Sequence, residues 1–240
     1  EDRLHVLAFD LGSGELAWQR TFWATGRTLF HPATSVAANT PASDGKRLFA
    51  FFSSNDLFAL DLDGNVQWIR GLTSNYPLAG NDVGMASSPA VVDGTIVVQS
   101  EAQAESFAAG IDAVTGETRW DVDRPRKASW CSPIAVKFGA EGNTFDAVLL
   151  QSPSGVAVHQ AATGEKLWEA SIPCEGTPSA VYDEVLYLPS NGLLALDLQT
   201  ETGKPRDVWR ETRLRGGAPS PVIYKGMAYV LNNSGVLSCR

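Results

Sequence analysis

Three cationic side chains, Arg124, Arg126 and Lys127, stand just ahead of Trp130. Arginine beside an exposed aromatic is a common anchor for a peptide, a carboxylate or a glycan. The blander reading is a solvated loop that balances Asp121 and Asp123. Asp61, Asp63 and Asn65 around Gly64 offer oxygen atoms at alternate positions, as the start of a calcium loop does, but no acidic residue follows at the spacing of a bidentate ligand. That segment reads as a turn. His5, His31 and His159 form no HxH or HExxH pattern, and Cys131, Cys174 and Cys239 form no CxxC and no adjacent pair. GxSxG and GxxxxGK sequences are also missing. The expectation is therefore no catalytic residue and no metal site, with the cysteines structural or inert.

The elements that would position the arginine cluster come from a repeat. A phrase of the form Asp-x-x-Thr-Gly-x-x-x-Trp recurs five times, ending at Trp18, Trp68, Trp120, Trp168 and Trp209. The spacing of about 40–50 residues is the period of a four-stranded propeller blade. A Thr-Pro or Ser-Pro step follows each phrase, at Pro41, Pro89, Pro133, Pro178 and Pro221. Between Pro89 and Trp120 lie four β-rich runs punctuated by Asp93-Gly94 and Thr115-Gly116, the chemistry of a hairpin meander.

The same scheme divides residues 1–240 into a partial blade at 1–22, blades at about 38–70, 87–123, 131–171 and 177–211, and a partial blade at 219–240, all within one propeller domain. The unit after Pro133 carries a longer first hairpin, Phe138 to Asp146, and the unit after Pro178 an expanded last turn, Gln199 to Arg206, insertions placed at turns as a repeat architecture expects. Four complete blades with a partial one at each end suit a piece of a seven- or eight-bladed ring. A closed five-bladed ring is the alternative, but it leaves a redundant strand and an unpaired edge.

The formal net charge of -8 argues against nonspecific binding to nucleic acid or to anionic lipid. No apolar run approaches the ~20 residues that cross a bilayer. In a propeller, links between blades share a face with the loops joining second and third strands, and such loops carry function more often than strands do. That face would hold Asn75, Tyr76, Asn81 and Asp82, then Arg124, Arg126, Lys127 and Trp130, then Glu175, then Arg213 and Arg215. The long link from Phe22 to Asn39, with Arg27, His31 and Pro32, is a further candidate rim. The partner expected there is another protein or a small ligand.

The tryptophan phrases resemble the docking motif of PQQ-like repeat propellers, the group that includes quinoprotein dehydrogenases and an outer-membrane-assembly propeller of bacteria. Ala8, Asp10, Ser13, Gly14 and Trp18 match at full spacing, as do Asp112, Thr115, Gly116 and Trp120 with Gly110 in the alanine place. Thr163, Gly164 and Trp168 match with Val158 and Gln160 as departures. Ala59, Asp61, Gly64 and Trp68 are one residue short, and Ala195, Asp197, Gly203 and Trp209 span an insertion. The resemblance implies an all-β propeller of four-stranded antiparallel blades, structural tryptophans and glycines, and a bacterial envelope or periplasmic location. Alcohol-oxidising members use PQQ with Ca²⁺ and carry adjacent cysteines. This chain has no such pair and no alignable calcium ligands, so the expectation is a noncatalytic protein-binding scaffold without PQQ or calcium. A quinoprotein dehydrogenase fragment and a carbohydrate- or small-ligand-binding propeller are the alternatives.

Overall fold

The computed structural model describes residues 2–80, 83–174 and 177–240. Among these described residues six antiparallel sheets follow one another along the chain, each a meander whose neighbouring strands are consecutive in sequence. They group into two compact units, residues 1–128 and 129–240.

The first unit holds a two-stranded sheet, β1 (Arg3–Phe9) and β2 (Leu16–Trp23), and two four-stranded sheets. One contains β3 (Ala42–Ser43), β4 (Arg47–Phe51), β5 (Asp56–Asp61) and β6 (Val66–Gly71); the other contains β7 (Ala90–Val92), β8 (Thr95–Ser100), β9 (Phe107–Asp112) and β10 (Thr118–Asp123). The two-residue alternation of a strand decides which neighbour each side chain meets. On β4 and β5, Phe49, Phe51, Leu57 and Ala59 pack with Ile96, Val98, Phe107 and Ile111 of the following sheet. Their alternates Ala50, Phe52, Phe58 and Leu60 pack with Leu4 and Val6 of the preceding one. Both faces of these central strands are therefore apolar, which is why their sequences read as continuous hydrophobic runs.

The second unit holds β11 (Ile134–Ala140), β12 (Asn143–Ser152), β13 (Gly155–Gln160) and β14 (Lys166–Ala170), then β15 (Ala180–Tyr182), β16 (Val185–Pro189), β17 (Leu193–Asp197) and β18 (Arg206–Glu211). A three-stranded sheet of β19 (Val222–Tyr224), β20 (Met227–Leu231) and β21 (Leu237–Cys239) follows. Val136, Leu149 and Val158 pack with Leu186, Leu194 and Leu196, and Leu193 packs with Leu214, Ala228 and Val230.

The segment from Phe138 to Asp146 is the longer first hairpin expected from the sequence. It is not an enlarged loop, because the β11–β12 ladder continues through Phe138↔Phe145 to Ala140↔Asn143. The extra residues lengthen both strands, and Lys137 Nζ bonds Asp146 Oδ1 at 2.6 Å near the tip. The Gln199–Arg206 segment is a turn whose Gln199 forms an isolated parallel bridge with Gly139.

Candidate functional site

On the face carrying the blade-to-blade links, the first unit contains a groove of about 320 Å³. Its floor is the turn between β4 and β5. Asn55 adopts a left-handed backbone there, with φ 61°, a conformation asparagine tolerates better than most residues. Its Nδ2 donates to the Ala79 carbonyl at 2.6 Å and its carbonyl accepts the Leu72 N–H at 3.0 Å, so it fixes the following link. The adjacent Asp56, fully buried, accepts Thr25 N–H at 2.9 Å, Thr25 Oγ1 at 2.5 Å and Ser54 Oγ at 2.7 Å. A buried carboxylate is tolerable only with such partners.

Those bonds draw the long Phe22–Asn39 link over the turn. Ser53 N–H donates to Val36 O at 2.9 Å, Ser53 Oγ to Leu29 O at 3.2 Å, and His31 N–H to Val83 O at 2.9 Å. The opposite wall is the link after β6, which opens with a short 3₁₀ turn, Leu72–Ser74. Leu78 N–H donates to Glu105 Oε2 at 2.8 Å, and Ala79 bridges to Glu105 in parallel. Tyr76 lies stacked on Phe107, centroids 3.7 Å apart, so it is a wall and not a free aromatic contact. Burial, with Asp121 nearby, raises its phenol above the ordinary value. Arg27, Leu29, Asn55, Thr73, Leu78 and Gln103 line the groove, a mix of apolar surface and a few polar groups that suits an extended peptide or a small ligand. Buried Asn55 Oδ1 accepts no hydrogen bond among the described residues.

The residues singled out from sequence divide into several groups. Arg124 is not available to a partner, because its side chain is 8% exposed and its Nε meets Glu101 Oε1, also buried, at 2.8 Å. It leaves the candidate surface and becomes part of the interior of the β7–β10 sheet's loops. Arg126 and Lys127 are exposed at the end of the first unit. Trp130 belongs to the second unit and is 38% exposed. Arg213 is exposed but held by Glu211 through two bonds of 3.1 Å. That guanidinium, the Arg213 backbone N–H and Arg240 beyond it hold the Glu211 carboxyl down at about 2. Arg215 is exposed, with Nε on the Thr212 carbonyl at 3.3 Å. Asn81, Asp82 and Glu175 lie outside the described residues. The sequence reading missed Asn55, Leu78 and Gln103, although the polar run Ser53, Ser54, Asn55 and Asp56 between two apolar strands marked the place.

Trp18 and Trp68 join neighbouring sheets. Trp18 Nε1 donates to Leu62 O at 2.9 Å and Trp68 Nε1 to Ala113 O at 3.2 Å. Their rings lie on Gly64 and Gly116, where an added Cβ would come within 2.6 and 2.7 Å of the indole. Both glycines have left-handed backbones, at φ 79° and 74°, as have Gly14, Gly164 and Gly203. Small residues face most of the indoles across the ladder, in the pairs Ala8↔Trp18, Ala59↔Trp68, Gly110↔Trp120 and Ala195↔Trp209, whereas Trp168 faces Val158. Gly203 does not share the arrangement of Gly64 and Gly116. Its inserted turn sits over β11, and only Ala140 N and Gly139 C come within 4 Å of an added Cβ.

Among the described residues no group of three or more His, Cys, Asp or Glu is placed to hold a metal ion. Asp61 instead accepts the N–H groups of Asp63 and Asn65 at 3.0 and 2.7 Å, which makes it a turn former. No helix among the described residues is long and apolar enough to cross a membrane.

No curated protein matches the chain. Among solved structures, it is similar to BamB from Moraxella catarrhalis, with a TM-score of 0.64 and 20% identity over 98% of this chain and 66% of that one. It is also similar to the quinohemoprotein alcohol dehydrogenase of Comamonas testosteroni, with a TM-score of 0.62 and 14% identity over 94% of this chain and 48% of that one. The chain thus spans less than two thirds of either protein, and identities this low show the shared propeller fold. A family model described as outer membrane protein assembly factor BamB matches residues 3–239. With the repeated tryptophan turns and the run of antiparallel sheets, that match means that the chain belongs to the BamB-type family of PQQ-like repeat β-propellers.

Proposed function

We propose that this chain is a noncatalytic binding propeller of the bacterial cell envelope, which holds a protein of the outer-membrane assembly machinery against its loop face. The observation that carries the reading is the groove between the Phe22–Asn39 link, the β4–β5 turn and the link after β6. Its rim offers Leu78, 64% exposed, with Arg27 and Gln103 nearby, and Arg126 and Lys127 add exposed cations on the same loop face. An apolar anchor beside arginine is a common centre for a protein interface. The family description supports the partner class and the envelope location. The tryptophans and the turn glycines serve the scaffold, and PQQ and calcium have no part in this reading.

The test places a photocrosslinking residue at Leu78, at Arg126 or at Val114 in the intact protein, in its own envelope. Val114 is 65% exposed but lies on the opposite, turn-bearing face, in the loop between β9 and β10. Crosslinks from 78 and 126 to an identified outer-membrane assembly protein, with none from 114, are expected. Equal yields from all three positions would remove the loop face as the site. Separately, saturable and calcium-dependent quenching of the tryptophans by PQQ would replace the scaffold reading with a quinoprotein one.

A further inference from the structure

Two thiols of the second unit flank one sheet, Cys131 just before β11 and Cys174 just after β14. β11 and β12 pair from Ile134↔Leu149, and that register, if continued three residues back, would set Cys131 opposite Ser152. Pro153, the next residue, accepts the Cys174 backbone N–H at 3.4 Å. One cysteine precedes the first strand of the β11–β14 sheet and the other follows its last, and the two thiols are near enough for Cys131 to act electrostatically on Cys174. They are 2% and 9% exposed, and all three cysteines of the chain are thiols in this structure.

We infer that Cys131 and Cys174 are a disulfide pair that clasps the start and the end of the β11–β14 sheet. Closing it takes two protons and two electrons from the thiols and forms one Sγ–Sγ bond. A disulfide oxidant such as oxidised glutathione accepts them and is itself cleaved to two thiols. Timing follows from burial, which, with Cys131 adding to it, pushes the Cys174 thiol up to about 12. Thiolate is the attacking species in exchange, so a thiol this weakly acidic reacts slowly once folded. Closure in the folded protein is therefore slow, and the same burial shields the bond from reduction once it has formed. Cys239, exposed on β21, stays outside the pair.

The full chain, denatured and reduced, is refolded with oxidised and reduced glutathione or with dithiothreitol, then alkylated, digested without reduction and mapped by mass spectrometry. The expected result is a linked Cys131–Cys174 peptide, an alkylated Cys239, and a melting temperature about 5–10 °C above that of the dithiothreitol sample. Oxidant added to the folded, reduced protein at pH 7 should link the pair about tenfold more slowly than oxidising refolding does. Recovery of both residues in alkylated form after oxidising refolding would overturn the pairing, as would linkage to Cys239. Equal melting temperatures with the bond present would overturn the clasp. Cys174→Ala should abolish the difference between the two samples, and because the map uses the unmodified chain, the pairing is decided even if that variant does not fold.

Discussion

Asp112 shows how one side chain sets a turn. Its Oδ1 accepts the backbone N–H groups of Val114 and Thr115, both at 2.8 Å, while Arg119 bonds Oδ2 at 2.7 Å. The Thr115 bond first, and Arg119 next, hold its carboxyl at about 2, below the usual 3.8. Between those values the unfolded chain binds more protons than the folded one, so stability falls as pH drops from about 4 to about 2. Asp112→Asn should flatten the acid limb of the melting-temperature profile across that window; an unchanged slope would show that the contribution lies elsewhere. The next prediction separates backbone strain from steric crowding. Gly14 and Gly116 share a left-handed backbone, but an added Cβ meets nothing within 4 Å at Gly14 and lies 2.7 Å from Trp68 at Gly116. Gly14→Ala should cost about 1–2 kcal/mol for strain alone, whereas Gly116→Ala should cost about 1–3 kcal/mol more because the indole must move. Urea denaturation of the two variants measures the difference, and equal costs would remove Trp68 from the account. These turns were legible as Asp, Thr and Gly at fixed spacing, since the interactions that build them are local.

At the level of elements, the central strands are held from both sides. Phe58 on β5 stacks on Phe22 of β2 with centroids 4.1 Å apart and meets Phe52 edge-on at 5.7 Å. It is 1% exposed, so Phe58→Ala should cost about 3–5 kcal/mol through lost transfer energy and a cavity. A cost below about 1 kcal/mol in urea denaturation would mean that β1 and β2 do not press on this sheet. Strand identity was readable from hydrophobic runs and Asp-Gly turns, because turn chemistry and period act over a few residues. The β11–β12 extension was less readable. Gly139, Gly142 and Asn143 look like loop residues, yet the ladder runs from Lys137↔Asp146 and Phe138↔Phe145 on through Gly139↔Thr144 to Ala140↔Asn143. Cross-strand pairing outweighs local propensity there.

The whole molecule carries a net charge of -8 and a pI near 4.9. Self-repulsion should keep it dispersed at pH 7, and turbidity should peak near pH 5 as that charge vanishes; a peak above pH 7 would contradict the composition. Against this acidic background, Arg126 and Lys127 form an exposed cationic spot, so partner binding of the kind proposed for this face should weaken as salt rises. The repeat, the sheet order and the tryptophan turns are written in the sequence, because each depends on residues close together in the chain and recurs often enough to be seen. The use of each candidate side chain is a different matter. Arg124 and Arg126 are two positions apart in one basic loop, and only folding sets one against buried Glu101 and leaves the other in solvent. The groove too exists only in three dimensions, since Leu29, Asn55, Leu78 and Gln103 come from four separate loops. Local spacing determined the scaffold; burial and long-range hydrogen bonding, which no short window of sequence contains, decided which residues remain free to bind.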